Sequence, residues 1–425
     1  MTQTDPRQHL SPAWTRYTDV LAERAEGPYI YTSDGRRYLD FTSGIGVTST
    51  GHCHPKVVAA AQAQVGKLIH GQINIVYHQP VLDLVNELLQ VVPAHLSTFF
   101  FANSGAEAIE ASIKLARQAT GRPNFIVFQG CFHGRTIGAM SLTTSSTVYR
   151  AGYQPLMPGV FVAPYPYAYR YGWSDEITTE FCLRELRLLL ATQTAPRETA
   201  AMLIEPVQGE GGYVVPTPGF LEGVQEICRE HGILLIMDEV QSGFGRTGKW
   251  FGHQHFNNIE PDIMVMAKGI ASGFPLSGIA TRPELMKNSP AGSHGGTYAA
   301  NAVACAAGAA TIQVLREENL VNNAAIMGEA LLAGLRDLQK RFPMIGDVRG
   351  KGLMVASEFA KSNGEPDTKM AKAVLHECQD LGLLMLTCGP YSNTIRWIPP
   401  LMVDEGHLDE GLGIFEQALG KVAAH

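Results

Sequence analysis

An acidic and a basic side chain each follow a short apolar run near the middle of the sequence. Residues 233–237 lead to Asp238, and residues 263–267 lead to Lys268. Apolar runs of this length, bounded by turn residues, are typical of strands in a parallel sheet that is covered on both faces. Because open α/β sheets bind ligands at the carboxyl ends of their strands, both charges are predicted to lie at a binding site.

Two interpretations of this pair are available from the residues alone. Burying a lone charge is costly, so Asp238 and Lys268 would cap strands or form a structural ion pair. Alternatively, they belong to a pyridoxal phosphate site, where Lys268 forms a Schiff base with the cofactor aldehyde and Asp238 keeps the pyridine nitrogen protonated. A protonated ring absorbs the electron pair that remains when a bond at the substrate carbon breaks. The spacing of the two residues does not decide between these interpretations, so the other motifs must.

A strand, a turn of small residues and a helix start occur in succession around residue 104. Ser104, Gly105 and Ala106 form the turn, where exposed amides and the helix dipole favour a phosphate group. Taken alone, Ser104 would be an ordinary helix N-cap. Residues 295–298, Gly-Gly-Thr-Tyr, are predicted to open another helix and to supply a second phosphate contact.

Side chains suited to binding a cofactor or a substrate follow other predicted strands. Phe132 could stack on a planar cofactor or pack in the core, and Arg135 could grip a carboxylate with two hydrogen bonds. Glu205 and Glu210 lie five positions apart among small residues. Arg396 falls within an apolar strand pattern, where a buried guanidinium needs an anion from the protein or from a ligand.

Two other motifs point to chemistry that their surroundings do not support. Residues 243–248 match the dinucleotide fingerprint G-x-G-x-x-G, but no periodic helix follows, so a nicotinamide-dependent dehydrogenase is not expected. His52 and His54 flank Cys53, yet two imidazoles and a thiol without a further nearby ligand are weak evidence for a metal. A loop at the mouth of the active site is the preferred interpretation, and no metal is expected.

Composition restricts the class of protein. The chain has 425 residues, 45% of them hydrophobic and 17% charged, which predicts a globular protein of two domains. A net charge of −7 argues against binding to nucleic acid or to an anionic membrane surface. Seven scattered cysteines indicate reduced thiols and hence a cytoplasmic location. Neither a membrane-spanning stretch nor the apolar core of a signal peptide is apparent.

The pattern of elements divides the chain into three parts. Residues 56–305 alternate strands with helices and predict a large α/β domain around a mostly parallel sheet. Residues 306–425 predict a smaller α+β domain, with strands at 346–359 and 393–403 and a final helix at 405–424. Residues 1–55 are predicted to join the small domain and to contain a hairpin at Asp34-Gly35.

The motifs NSGAEA, EPVQGEGG, DEVQSGFGRTG, MAKGI and GGTY occur in this order. Together they resemble the class III (subgroup II) pyridoxal-phosphate aminotransferases, over nearly the whole chain from Gly44 to beyond Arg396. The set is highly specific to that family. The resemblance implies fold type I, with a seven-stranded, mostly parallel sheet in the large domain, a smaller α+β domain, pyridoxal 5′-phosphate as the cofactor and a homodimer, with further pairing into a tetramer left open.

The resemblance also implies a role for each matching residue. Lys268 would be the Schiff-base lysine and general base, and Asp238 would pair with the pyridine nitrogen. Thr297 would reach the phosphate of the neighbouring subunit's cofactor. Ser104, Gly105 and Ala106 would bind the phosphate. Phe132 would stack on the ring, Val240 would pack on it and His133 would lie beside it. Gln241 would contact the phenolic oxygen, and Glu205 would also contact the cofactor.

Within this family, Ile45, Arg135, Glu210 and Arg396 match positions of the 4-aminobutyrate aminotransferases. By that resemblance, Arg135 would hold the distal carboxylate of the donor or of glutamate, and Arg396 the α-carboxylate of glutamate or 2-oxoglutarate. Glu210 would act in catalysis by neutralising Arg396 when the substrate has no α-carboxylate. Phe132 stands where these enzymes more often have tyrosine, and acetylornithine-type relatives share several motifs. Acetylornithine and an ω-amine with pyruvate therefore remain alternative substrates.

Two functions other than transamination are compatible with a cofactor site of this kind. Some relatives racemise or epimerise α-amino acids with the same lysine and aspartate, and motifs near the cofactor do not separate them from transaminases. A requirement for a keto acid would separate them, because a racemase needs no amino acceptor. A non-catalytic, cofactor-binding regulator has less support, since the chain carries no added DNA-binding segment and no basic patch.

Overall fold

The computed structural model of the protein describes residues 5–424. Its strands are β1 (Ala22–Glu26), β2 (Tyr29–Thr32), β3 (Arg37–Asp40), β4 (Thr98–Ala102), β5 (Asn124–Phe128), β6 (Val160–Ala163), β7 (Thr199–Ile204), β8 (Leu234–Asp238), β9 (Ile263–Met266), β10 (Ser277–Thr281), β11 (Ile345–Lys351), β12 (Met354–Phe359), β13 (Leu383–Leu384), β14 (Leu386–Cys388) and β15 (Thr394–Trp397).

Helices alternate with these strands in the first two thirds of the chain and flank them in the last third. They are α1 (Ser43–Gly46), α2 (Pro55–Val65), α3 (Gln79–Leu88), α4 (Gly105–Thr120), α5 (Ile137–Leu142), α6 (Ala168–Tyr171), α7 (Asp175–Thr192), α8 (Phe220–His231), α9 (Pro283–Met286), α10 (Ala302–Glu317), α11 (Leu320–Arg341), α12 (Thr368–Asp380) and α13 (Glu405–Ala423).

The central sheet has seven strands in the order β4-β10-β9-β8-β7-β5-β6. Only β10 runs antiparallel to its neighbours in this sheet; β9, β8, β7, β5 and β6 pair in parallel. Every residue of β7, β8 and β9 is buried, because helices cover both faces of the sheet. The predicted α/β fold with a mostly parallel seven-stranded sheet is confirmed.

Helix α8 illustrates how the sequence covers this sheet. Its buried apolar residues recur at helical spacing and pack in one core with apolar residues of β7 and β8; they are Phe220, Leu221, Val224, Ile227 and Cys228. A helix with one such apolar stripe buries it most favourably against a sheet face. This packing holds the strands in place and so fixes the positions of their carboxyl ends.

Two smaller sheets involve the ends of the chain. The first has the order β1-β2-β3-β13, so the N-terminal strands pair with a strand from the C-terminal third. Gly35 has φ +85° in the turn between β2 and β3, which confirms the hairpin at Asp34-Gly35. The second sheet has the order β11-β12-β15-β14 and places Arg396 opposite Ala356. The division into domains at residues 55 and 305 stays a prediction.

The structure corrects one predicted helix start. Residues 295–298 lie in a loop, and α10 begins only at Ala302. Ala300 has φ +54°, a left-handed conformation that a continuous helix does not allow. Asn301 then caps the helix, because its Oδ1 accepts a hydrogen bond from the N–H of Val303. Thr297 is therefore an exposed loop residue.

Residues 243–248, which match the dinucleotide fingerprint, also lie in turns. The next element is a one-turn 3₁₀ helix, Gly252–His255, and no α-helix begins there. Among residues 5–424, no helix is both long and apolar enough to cross a membrane.

Candidate active site

Strands β8 and β9 bring Asp238 and Lys268 to one cavity. Asp238 is the last residue of β8, opposite Val265 of β9, and Lys268 begins a one-turn 3₁₀ helix just beyond β9. The cavity has a volume of about 430 Å³. Most of the predicted site residues line it: Ser104, Gly105, Ala106, Phe132, His133, Arg135, Glu205, Glu210, Asp238, Val240, Gln241 and Lys268.

The carboxylate of Asp238 is buried and held at both oxygens. Its Oδ2 lies 2.7 Å from Nδ1 of His133, and its Oδ1 accepts a hydrogen bond of 3.0 Å from the N–H of Val240. Although burial opposes protonation, Cys131 and Asp238 raise the pKa of His133 well above its usual value. Nδ1 of His133 therefore donates its hydrogen bond to Asp238. This bond fixes the position of the carboxylate in the wall of the cavity.

Lys268 is partly buried in the wall of the cavity, and its amine makes no hydrogen bond with any residue in the described range 5–424. Burial lowers the pKa of Lys268 to about 8, and Arg396 adds to this effect, whereas Glu210 and Asp238 oppose it. A lysine with such a pKa is largely neutral only slightly above physiological pH. Lys268 can therefore act as a nucleophile or a base, which an ordinary lysine rarely does at that pH.

Glu205 directly follows β7 and accepts two backbone hydrogen bonds. The N–H of Phe132 donates to Oε1 at 2.9 Å, and the N–H of Gly209 donates to Oε2 at 2.7 Å. Burial raises the pKa of Glu205 to about 7. Glu205 thus connects two loops of the cavity through hydrogen bonds to their backbones.

The start of helix α4 forms another wall of the cavity. Ser104 and Glu107 form a capping box, in which Oγ of Ser104 accepts from the N–H of Glu107 and the Glu107 carboxylate accepts from the N–H of Ser104. The N–H groups of Gly105 and Ala106 have no hydrogen-bond acceptor among the described residues. Free amides at the N-terminus of a helix of 16 residues favour an anion.

Beside Lys268, the partly buried Glu210 forms an ion pair with the buried Arg396. Nη1 of Arg396 lies 2.5 Å from Oε1 of Glu210, and its Nη2 donates to the carbonyl of Thr387 at 3.1 Å. Burial would raise the pKa of Glu210, but Arg396, Lys268 and Arg135 outweigh it and hold this pKa below its usual value. The same pair keeps the pKa of Arg396 above its usual range, against the effect of burial. Both residues are therefore charged.

A second guanidinium lies at the exposed side of the cavity, next to two aromatic rings. Cζ of Arg135 is 4.5 Å from the ring centroid of Tyr149 and 6.0 Å from that of Phe132. The two rings contact each other edge to face at 5.2 Å. Tyr149 was missed by the sequence analysis, because it belongs to no motif and reaches the site only through the fold.

Three predicted residues do not line the cavity. Arg396 is not a lining residue, but it forms an ion pair with Glu210, which is one. Ile45 is 40% exposed and lies two positions before Val47, which does line the cavity. Thr297 is exposed, and no part of its loop lines the cavity of its own chain.

The residues present fit pyridoxal phosphate. Lys268 offers an amine to an aldehyde, Asp238 offers a fixed anion to a ring nitrogen, and the start of α4 offers free N–H groups to a phosphate. Oε1 of Gln241 is buried without a partner among residues 5–424. An unpaired polar atom in a cavity wall is costly unless a ligand meets it, so Gln241 also fits a polar group on the ring.

Fold and site together define a pyridoxal-phosphate enzyme of fold type I. The model of the family described as "Aminotransferase class-III" matches residues 10–419. The chain therefore belongs to the class-III aminotransferase family and is an aminotransferase whose cofactor is pyridoxal phosphate.

Several relatives are similar over most of their length. The chain is 40% identical to the 4-aminobutyrate aminotransferase GabT of Escherichia coli, covering 94% of this chain and 93% of that protein. It is 39% identical to the 5-aminovalerate aminotransferase DavT of Pseudomonas aeruginosa (95% and 94%). It is 38% identical to the alanine/serine racemase of Pyrococcus horikoshii (94% and 85%).

A solved structure confirms the fold type. An amine transaminase from an uncultivated Pseudomonas species, in its pyridoxal-phosphate-bound form, superimposes with a TM-score of 0.91 at 30% identity. The match covers 97% of this chain and 98% of that one.

Proposed function

We propose that the protein transfers the amino group of an ω-amino acid of the 4-aminobutyrate type to 2-oxoglutarate, giving a semialdehyde and glutamate. The observation that carries this proposal is the ion pair between Glu210 and the buried Arg396 beside Lys268, with Arg135 at the exposed side of the same cavity. A substrate with one distal carboxylate needs one cation, and a dicarboxylate needs two. Arg135 and Arg396 supply these two cations at different positions.

The ion pair suits a site that alternates between two substrates. An arginine facing the apolar end of an ω-amino acid would be an unpaired buried charge, which is costly. Glu210 neutralises Arg396 in that state. When glutamate or 2-oxoglutarate arrives, its α-carboxylate takes the place of Glu210 on Arg396, so both substrates find compensated charges.

The remaining residues are assigned roles from their positions. Bound pyridoxal phosphate supplies an aldehyde that captures amines and a ring that accepts an electron pair. Lys268 would move a proton between the substrate carbon and the cofactor, since a pKa of about 8 leaves a fraction of its amine neutral near physiological pH. Asp238, fixed by His133, would hold a proton on the ring nitrogen. Ser104 and the free amides after it would bind the phosphate.

The aromatic and amide side chains of the cavity would position the ring. Phe132 would stack on one face and Val240 would pack on the other, because both line the cavity beside Asp238. Gln241 would contact the phenolic oxygen, since its buried Oε1 has no partner among residues 5–424 and can accept from a phenolic hydroxyl. Ile45 would lie near the substrate chain, next to Val47.

A racemase is the second candidate, because a relative of 38% identity is named an alanine/serine racemase. Racemisation needs the same lysine and the same electron-accepting ring, but it returns the proton to the opposite face of the carbon. The Glu210–Arg396 pair favours transamination, since a racemase acts on one kind of substrate and gains nothing from a movable counter-ion.

Single-turnover spectroscopy of the holoenzyme distinguishes the two. We expect 4-aminobutyrate alone to bleach the visible band of the bound cofactor and 2-oxoglutarate to restore it. An enzyme whose band persists with 4-aminobutyrate, and which racemises an α-amino acid without any keto acid, would contradict the proposal. Lys268→Ala is the control, because it should remove both activities while leaving a folded protein.

We also propose that the protein is a homodimer in which Thr297 reaches the phosphate of the partner's cofactor. Support comes from an exposed apolar surface formed by Leu68, Ile69, Ile75, Val76 and Tyr77, of which Ile75 and Tyr77 are 80% and 82% exposed. The Thr297 loop adjoins this surface. The ring of Tyr298 contacts His70 at 5.6 Å, and Nδ2 of Asn301 donates to the carbonyl of Ile69. A second copy covering this surface would also meet Thr297.

A cytoplasmic location is proposed on the state of the thiols. All seven cysteines are free, and only Cys53 is exposed. Unpaired thiols are typical of proteins kept in a reducing compartment.

A further inference from the structure

Arg349, on strand β11, holds the backbone of the loop that carries Glu210. Its Nε and Nη2 both donate to the carbonyl oxygen of Gly212, at 3.0 and 2.6 Å. Gly212 lies two positions after Glu210 and has φ +118°, in the region that favours glycine. The guanidinium therefore binds the carbonyl oxygen of a residue whose backbone conformation favours glycine.

Arg349 is itself fixed to the sheet that carries Arg396. Its Nη1 lies 2.7 Å from Oδ2 of Asp347 and 2.6 Å from Oε2 of Glu358, and Glu358 is only 1% exposed. Glu358 belongs to β12, which pairs with β15, the strand of Arg396. Arg349 on β11 and Arg396 on β15 thus lie in one sheet, with β12 and its Glu358 between them.

Other hydrogen bonds fix the same loop on its remaining sides. The N–H of Gly389 donates to the carbonyl of Glu210 at 2.9 Å, and the N–H of Gly209 donates to Glu205. The N–H of Gly212 closes a turn onto Gly209. These bonds hold the backbone of the loop and so fix the position from which the side chain of Glu210 reaches Arg396.

We propose that Arg349 is a positioning residue that clamps the Glu210 loop to the sheet of Arg396, so that Glu210 re-forms its ion pair whenever the substrate has no α-carboxylate. This inference rests on the proposed function. Without the clamp the loop can move away, and Arg396 then faces an ω-amino acid as an uncompensated cation. Glutamate brings its own carboxylate to Arg396 and does not need Glu210 there.

If Arg349 acts in this way, its loss should slow the half-reaction of the ω-amino acid and not that of glutamate. In Arg349→Gln, we expect the ratio of kcat/KM for glutamate to kcat/KM for 4-aminobutyrate to rise about tenfold, the effect of losing a charged hydrogen-bond pair. Arg349→Lys, which keeps the charge but cannot grip one carbonyl with two donors, should change the ratio in the same direction. Glu210→Gln should also raise it.

Arg170→Gln is the matched control. Arg170 pairs with Glu358, as Arg349 does, but it makes no contact with the Glu210 loop in the described structure. We expect this variant to leave the ratio unchanged within about twofold. An equal loss in both half-reactions for all three arginine variants would overturn the proposal and indicate a structural role only.

Hydrogen exchange supplies a readout that does not depend on activity. Peptides covering residues 208–214 should exchange faster in Arg349→Gln than in the wild type, and should be unchanged in Arg170→Gln. Unchanged exchange in Arg349→Gln would overturn the clamp. If the wild type failed to react with 4-aminobutyrate, the proposed function would fail, whereas the exchange measurement would still decide whether Arg349 holds the loop.

Discussion

The chemistry of Lys268 is set by what surrounds its amine. Burial and Arg396 lower its pKa to about 8, and Glu210 partly offsets them. In the apoprotein only the neutral amine attacks an aldehyde. We therefore expect the rate of recombination with pyridoxal phosphate to rise with pH around a midpoint near the pKa of about 8.

The same experiment on Glu210→Gln tests the cause of the shift. Since Glu210 raises the pKa of Lys268, its neutralisation should move the midpoint to lower pH. Stopped-flow absorbance of the apoprotein at a series of pH values measures both midpoints. A wild-type midpoint close to the usual lysine value of 10.5 would contradict the effect of burial.

Tyr149 packs against Arg135 at the exposed side of the cavity, with Cζ of Arg135 4.5 Å from the ring centroid. Its ring is the nearer of the two aromatic rings to the guanidinium. Tyr149→Ala should raise KM for 4-aminobutyrate by about threefold to thirtyfold, the range of a cation–π contact, with a smaller change in kcat. Steady-state kinetics with a saturating keto acid measures this.

Tyr149→Phe is the control for that substitution. The hydroxyl of Tyr149 makes no hydrogen bond with any described residue, so the phenyl ring alone should hold Arg135. A Phe variant as impaired as the Ala variant would assign the effect to the hydroxyl instead of the ring.

Sequence patterns predicted the site residues that belong to compact motifs. They missed the residues that lie near the site only because of the tertiary fold. Asp238 ends β8 and Lys268 follows β9. Residues at the carboxyl ends of neighbouring parallel strands lie at the same edge of the sheet, so their proximity could be predicted from the two strand patterns alone. Tyr149 and Arg349 stand in segments without a chemical signature. Tyr149 reaches the site because its loop returns to Phe132, and Arg349 acts through a carbonyl oxygen, which no sequence pattern reveals.

Among the elements, those with strong local patterns were predicted well. The hairpin at Asp34-Gly35 and helix α13 depend on turn chemistry and apolar spacing over a few residues. The helix predicted from residue 295 was wrong, because a left-handed Ala300 and the Asn301 cap delay its start. The antiparallel position of β10 between β4 and β9 depends on long-range pairing, which periodicity does not encode.

The start of helix α4 depends on a close contact with the loop after β5. Gly134 has φ +135°, and a Cβ there would lie 2.8 Å from Cβ of Ala106 and 3.0 Å from its Cα. Gly134→Ala should displace the first turn of α4 and weaken pyridoxal phosphate binding about tenfold or more, in addition to lowering stability. Equilibrium dialysis of the cofactor and a thermal melt of the apoprotein separate the two effects.

Gly121→Ala is a matched control at the other end of α4. Gly121 has φ +67°, but a Cβ there would have open space. Its substitution should cost about 1 kcal/mol of stability through backbone strain alone. Cofactor affinity should stay at the wild-type value, and equal losses of affinity in both variants would contradict a specific role for Gly134.

At the scale of the whole molecule, the phosphate site formed by one chain is completed by the neighbouring chain in the proposed dimer. Within its own chain, Thr297 is exposed and does not line the cavity. Its loop instead adjoins the exposed apolar surface around Ile75 and Tyr77. Burying that surface against a second copy would stabilise the dimer and would bring each Thr297 towards the partner's site.

Mixed dimers test this arrangement. A Lys268→Ala chain is inactive but carries an intact Thr297, and a Thr297→Ala chain carries an intact Lys268. If Thr297 serves the partner's site, a dimer of one chain of each kind contains one complete site and one site that lacks both residues. Mixing the two variants under conditions of subunit exchange should therefore restore about half of the wild-type activity per mixed dimer. If Thr297 acted within its own chain, every site in the mixture would lack one residue, and the activity would stay at the average of the two parent variants.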